Sequence, residues 1–357
     1  MRLSYYRIVL TKRHALTISR GTSTGSTNIV LRVDDERWSG IGEMAPSEVT
    51  GDSAEATEDA VARWSPILAD VGAWELDRAR ALLANDLAGS ATFAALDLAM
   101  HDWIGTRADL PLWKMWGGDL GRVPPTSLTI GINPPAVVRE LVPEILTRTG
   151  AVVLKVKLGQ PAGLDADRDM FVAAQEAALD VGRPVAWRVD ANGGWTPPGA
   201  AEMIPWLAAR GVSLVEQPLA QGDEDALPAL YAVSPVPLFG DESIRDAHDV
   251  ARFADRYHGV NLKLMKCGGL AEARRIIATA RAHRLQVMIG CMGESSLAIS
   301  AGAQLAPFVD HLDLDSHLNL LDDPFDGATM SAGTLRPTDR AGLGDRKSTR
   351  QNSSHRH

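Results

Sequence analysis

The sequence predicts an α/β protein built as a (β/α)8-type barrel with an N-terminal α+β capping domain, and three features carry that expectation. After Pro124-Pro125, eight short runs rich in Val, Ile and Leu alternate with longer amphipathic stretches, the pattern of βα units around a parallel sheet. Ahead of them, period-two alternation of apolar and polar residues gives way to helical spacing. No GxGxxG opens a helix after a strand, which speaks against an open dinucleotide-binding sheet.

Residues 1–122 form the expected cap. SYYRIVL, NIVLRVD and the segment around WSGIGEMA alternate as strands of an antiparallel meander, with GTSTGST and DDERWSG as turns. From about Ala54 to Met115, AEATEDAVARW and ATFAALDLAMHDWIG repeat small and apolar residues at i, i+3 and i+4. The barrel is expected over residues 123–320, from SLTIGI, VVLKVKL, PVAWRVD, SLVEQPL, LFGDE, VNLKLMK, QVMIGCM and HLDLD. Residues 321–344 read as a segment returning to the cap, able to add a late strand there. The polar, basic stretch at 345–357, DRKSTRQNSSHRH, lacks periodicity and reads as a disordered or non-native tail.

Composition narrows the function. The 357 residues carry a net charge of −9 and no basic run, so nucleic acid is not an expected partner. No apolar stretch is long enough to span a bilayer, and the start lacks the apolar core of a secretory signal. Cys267 and Cys291 have neither disulfide-framework nor zinc spacing, which fits a cytoplasmic protein.

The chemistry lies where polar residues interrupt the apolar runs. Asp190, Glu216, Asp241 and Lys266 follow one another at intervals of 25 or 26 residues, one βα unit each. That period puts each at the C-terminal end of a successive strand, where barrel active sites lie. Each acid alone is an ordinary solvated carboxylate; three converging on one point need a cation, and oxygen-only ligands on rigid strands suit one Mg²⁺. Lys155 and Lys157, two apart on a strand, share one face, expected to be the barrel interior. A buried lysine there must pair or lose its proton, and a nearby metal and a second ammonium would depress its pKa into the range of a usable base. Lys157 on the second strand and Lys266 on the sixth are then expected to face each other across the mouth, able to remove a proton on one side of a carbon acid and return it on the other.

The set Lys155-Val-Lys157, Asp190-Ala-Asn192, Glu216-Gln217-Pro218, Gly240-Asp241-Glu242-Ser243 and Lys263 to Gly269 resembles the enolase superfamily, in its muconate lactonizing enzyme subgroup. The resemblance runs to about Gly344. It implies a modified TIM barrel closed by an α+β cap, a metal-stabilised enediolate and symmetric assembly into a homo-oligomer. Met292-Gly-Glu294-Ser295 and Asp313-Leu-Asp315 resemble the seventh and eighth strands of dipeptide epimerases. By that resemblance Asp313 and Asp315 bind the free α-ammonium of a dipeptide, and Met292 and Thr129 contact the substrate. Asn192 and Glu242 orient the ligands or lysines, and the loop bearing Arg20 folds over the substrate. An arginine there could bind a glutamate side chain bidentately, favouring the cell-wall dipeptide L-Ala-D/L-Glu. The expected reaction is 1,1-proton transfer at the α-carbon of the C-terminal residue by Lys157 and Lys266, with Lys155 adding positive charge. o-Succinylbenzoate synthase, N-succinylamino-acid racemase and cycloisomerase activities share the metal and lysines and stay open, as does a catalytically silent protein on the same scaffold.

Overall fold

The computed structural model describes residues 1–47 and 49–348. Strands β1 (Arg2–Ile18), β2 (Gly21–Asp34) and β3 (Ser39–Met44) form an antiparallel sheet. GTSTGST, expected as a turn, instead continues β2. Its Ser and Thr residues pair across the hairpin, so the only turn is Ser19–Arg20 and the arm projects well beyond the sheet. The register breaks between Thr11 and Leu16, which separates this arm from the root.

Helices α1 (Ala54–Leu68), α2 (Leu76–Leu82), α3 (Ser90–Ala108) and α4 (Leu112–Met115) follow. α3 lies directly on β3 because both surfaces are small. A Cβ at Gly40 would lie 2.1 Å from the Ala99 carbonyl oxygen, and one at Gly42 2.2 Å from that of Ala95. Substitution at either glycine would therefore push the helix off the sheet.

Eight parallel strands follow in ring order: β4 (Leu128–Ile130), β5 (Val153–Lys157), β6 (Ala186–Asp190), β7 (Val212–Glu216), β8 (Leu238–Gly240), β9 (Gly259–Lys263), β10 (Gln286–Gly290) and β11 (His311–Asp313). Each pairs with its sequence neighbours, and a bridge between Thr126 and Leu312 joins the two ends of the sheet. Between strands run α5 (Pro135–Thr149), α6 (Leu164–Val181), α7 (Pro197–Ala208), α8 (Leu227–Val233), α9 (Ala247–Arg252), α10 (Leu264–Cys267), α11 (Leu270–Ala282) and α12 (Ser296–Ala303). Leu214, Phe239 and Met288 form their own buried cluster. Two residues before Glu216, Asp241 and Gly290, they share the inward face and floor the site with apolar atoms.

Buried acids tie cap to barrel. Glu43 of β3 accepts from Ser295 N (2.9 Å), Ser295 Oγ (2.6 Å) and Ala298 N (3.1 Å) at the start of α12, and from Asn28 Nδ2 (2.7 Å). Asp97 of α3 accepts from Leu270 N (2.6 Å) and Ala271 N (3.3 Å) at the start of α11. Helix N-termini present unpaired N–H groups and a positive dipole end, so a cap acid satisfies both at once.

After the barrel come β12 (Phe325–Asp326), the hairpin β13 (Thr329–Ser331) with β14 (Thr334–Arg336), and β15 (Arg346–Lys347). No strand joins the β1–β3 sheet here, contrary to the sequence expectation; β12 pairs with β15. The segment does meet the cap, where Leu343 N donates to Asp102 Oδ1 (2.8 Å). The expected tail starts too early at 345: Asp345 is bonded to Ser296 and Ser300 of α12, and structured chain continues to Ser348. The rest of that stretch, 349–357, lies outside the described residues. No helix among the described residues is long and apolar enough to cross a membrane.

Candidate active site

Strand ends build the site. Asp190 closes β6, Glu216 closes β7 and Asp241 follows β8, so parallel pairing brings the three to one level. One carboxylate oxygen from each lies within 4.8 Å of the others, and all three side chains are buried. Burial and the charge of Asp190 push Glu216 up to about 8. Three buried carboxylates at this separation are a poor arrangement by themselves and a good one around a hard divalent cation, which their all-oxygen donor set fits. Asn261 Nδ2 holds Glu216 Oε1 at 2.7 Å, and Asn192 holds both oxygens of Asp190, through its N–H (2.7 Å) and its Nδ2 (3.0 Å). Gln217 Oε1 accepts the Asp241 N–H at 2.9 Å.

The lysines surround the acids. Lys155 Nζ bonds Asp313 Oδ2 and lies 3.1 Å from Glu216 Oε2; Lys157 Nζ lies 2.5 Å from Asp190 Oδ2. Burial alone would lower the pKa of Lys155, but Asp313, Glu216 and Asp190 outweigh it and hold the ammonium well above the ordinary lysine range.

The sequence reading placed Lys266 at the end of the sixth strand, and the structure corrects this. β9 ends at Lys263, which pairs in register with Gly290 of β10; Lys266 sits one turn further on, in α10. Lys266 Nζ donates to the Asp241 carbonyl oxygen, to Asp241 Oδ1 (2.5 Å) and to the Asn261 carbonyl oxygen (3.1 Å), which uses all three of its protons. Lys263 Nζ has Asp241 Oδ2 at 2.6 Å. Burial would raise Asp241, yet Lys263 and Lys266 together hold it well below the usual carboxylate range. Lys157 on β5 and Lys263 on β9 stand four strands apart in a ring of eight, directly opposite.

Asp313 and Asp315 differ from each other. Asp313 ends β11 and is satisfied by Lys155 and Ser127 Oγ (2.6 Å). Asp315 lies past the strand, takes the Thr129 N–H on Oδ2 at 2.6 Å, and is pushed up to about 6 by burial and by Asp313. Met292 lines the cavity, and its N–H is held by Glu294 Oε1 (2.9 Å).

Arg20, expected either to bind a glutamate side chain or to be a solvated loop residue, is engaged within the protein. Its Nη2 lies 2.7 Å from Glu242 Oε1 and its Nη1 donates to the Asn192 carbonyl oxygen at 3.0 Å. The cavity under the hairpin arm has a volume of about 490 Å³; its lining includes Leu16, Ile18, Leu141, Ile145 and Leu318, along with Lys12, His14 and Arg148. Three contributors escaped sequence reasoning. Lys263 and Gln217 lay inside quoted motifs with no role given, and Asn261 was detectable only as the inward position two before Lys263.

Residues 137–347 match the family described as Enolase C-terminal domain-like. A hydrophobic dipeptide epimerase of Roseobacter litoralis is 44% identical over 348 residues, covering 96% of this chain and 98% of that protein. Another from Flavobacteria bacterium MS024-2A is 43% identical over 349 residues, covering 96% and 97%. The crystal structure of a dipeptide epimerase from Enterococcus faecalis, complexed with Mg and L-Leu-L-Tyr, superposes with a TM-score of 0.88 at 28% identity, covering 96% of this chain and 98% of that one. With its carboxylate triad and opposed lysines at the mouth of a capped barrel, the chain belongs to the enolase superfamily and is an isomerase of its epimerase branch.

Proposed function

We propose that the protein epimerises dipeptides at the α-carbon of the C-terminal residue, with Lys157 and Lys263 as the two proton-transfer groups. The observation that carries this reading is their position on opposite strands with Asp190, Glu216 and Asp241 between them. Those three acids would hold one Mg²⁺, which supplies the positive charge that makes the α-proton next to a carboxylate acidic. Lys157 and Lys263 exchange roles: one takes the α-proton on one face, the other delivers a proton on the opposite face, and the configuration inverts. Lys155 stays charged beside Glu216 and adds to the field at the substrate carboxylate. Lys266 takes the positioning role, because all its protons are committed. Asp315, backed by Asp313, receives the dipeptide ammonium; a cation there relieves the repulsion between the two acids.

The lining residues Leu16, Ile18, Leu141, Ile145 and Leu318 support apolar side chains. The engagement of Arg20 by Glu242 argues against a glutamate side chain as the preferred one. Incubation in D₂O with an L-Ala-L-Phe and an L-Ala-L-Glu substrate, followed by mass and chiral analysis, tests both parts. Deuterium at the C-terminal α-carbon with inversion is expected, faster for the apolar dipeptide. No α-deuterium in any dipeptide of a broad panel would overturn the reaction; faster exchange of the glutamyl dipeptide would overturn the preference.

A further inference from the structure

The hairpin arm over the cavity is tied down at its tip by groups that also hold a candidate metal ligand. Ser19 Oγ and Arg20 Nη1 both donate to the Asn192 carbonyl oxygen, at 3.1 and 3.0 Å. Arg20 Nη2 pairs with Glu242 Oε1 at 2.7 Å. Asn192 in turn donates its N–H and its Nδ2 to the two oxygens of Asp190 and reaches Glu242 Oε1 at 3.4 Å. Glu242 directly follows Asp241 and is almost fully buried. Arg20 is its one ion-pair partner among the described residues, and its other oxygen, Oε2, has no hydrogen bond. Asn192 adopts φ +44°, a left-handed conformation that must be held in place by its neighbours.

From this geometry we infer that Arg20 is a positioning residue that couples closure of the hairpin arm to the carboxylate triad, through Asn192 and Glu242. Lifting the tip strands the buried Glu242 charge and frees the strained Asn192, which then no longer orients Asp190. Coupling of this kind is reciprocal: an ion that orders Asp190 favours the closed arm, and the closed arm favours the ion. The inference rests on the proposed reading of the triad as a metal site, and it concerns a residue that acts through others and does not itself touch the reacting atoms.

The test follows amide hydrogen exchange of residues 16–23 with and without Mg²⁺, together with Mg²⁺ titration by calorimetry, in the unmodified protein, Arg20→Lys and Arg20→Ala. Mg²⁺ is expected to slow exchange at the tip of the unmodified protein. Arg20→Ala is expected to remove that slowing and to weaken Mg²⁺ binding by about 10- to 100-fold, as removal of a ligand-orienting partner does elsewhere. Arg20→Lys, which keeps the charge but not both contacts, should fall between. Unchanged Mg²⁺ affinity in Arg20→Ala would overturn the inference. So would exchange at residues 16–23 that Mg²⁺ slows equally in Arg20→Ala and the unmodified protein. Neither readout depends on turnover. If no dipeptide is epimerised, the coupling still stands or falls on exchange and calorimetry, and if the coupling fails, the D₂O assay still decides the reaction.

Discussion

Two groups of buried acids in this protein are neutralised in opposite ways. At the seam between cap and barrel, Glu43 and Asp97 accept from backbone N–H groups at the starts of α12 and α11. At the barrel mouth, Asp190, Glu216 and Asp241 face each other and lean on the ammonium groups of Lys155, Lys157, Lys263 and Lys266. Backbone donors are fixed by the helix that carries them, and at Asp97 they are joined by the side chains of His101 (3.2 Å) and Arg80 (3.7 Å). Lysine side chains can swing, take a proton or release one, so the compensation at the mouth is exchangeable. The difference separates acids that join two parts of a fold from acids gathered at one point among exchangeable partners.

The largest effects are expected at the mouth. Lys157→Ala or Lys263→Ala should lower epimerisation by about 10²- to 10⁴-fold, the usual worth of a positioned acid or base. Lys266→Ala should act mainly on stability, seen as a lower melting temperature. Equal activity loss with unchanged melting behaviour would restore Lys266 to a direct proton-transfer role.

Mg²⁺ should raise the melting temperature, by an amount equivalent to about 2.7 kcal/mol at a hundredfold excess over its dissociation constant. Asp241→Asn should abolish that shift, whereas Glu43→Gln should leave it intact. A response to Mg²⁺ that disappeared in Glu43→Gln would erase the distinction between the two regions.

At the seam, Glu43→Gln loses acceptor capacity at the start of α12 and should cost about 1–3 kcal/mol in urea unfolding, with no change in substrate preference. The smallest effect is one of pH. Burial pushes Asp345, bonded to α12 through Ser296 and Ser300, up to about 7. A carboxyl whose pKa is raised on folding favours the folded state while protonated. Its contribution is therefore complete below about pH 4 and lost as pH rises through about 7. Asp345→Asn, which mimics the protonated acid, should flatten the urea midpoint between pH 4 and 8 relative to the unmodified chain.

Legibility in the sequence followed the range of the interactions involved. The eight apolar runs became the eight strands, because a strand buried on both faces must be apolar along its length. The acids recur at one βα unit, and parallel pairing then has no choice but to align them. The lysine pair Lys263 and Lys266 could not be resolved by reading: both are basic residues near a strand end. Where β9 stops is decided by its pairing with β10, which runs out at Lys263 and Gly290. Arg20 was legible as a loop residue over the site, but its partner Glu242 lies 222 residues away in the chain. GTSTGST is strand and not turn for a related reason, since polar residues become strand when a neighbouring strand supplies their hydrogen bonds.

Local order determined what the sequence settled by itself: the number of βα units and the level at which each acid emerges. Those follow from periodicity, which every short window of chain carries. Only the tertiary structure decided which lysine stands opposite Lys157, which aspartate is already satisfied, and what Arg20 holds. Each of these depends on which groups the fold brings together from separate parts of the chain, and a buried charge takes its role from whatever group is set beside it.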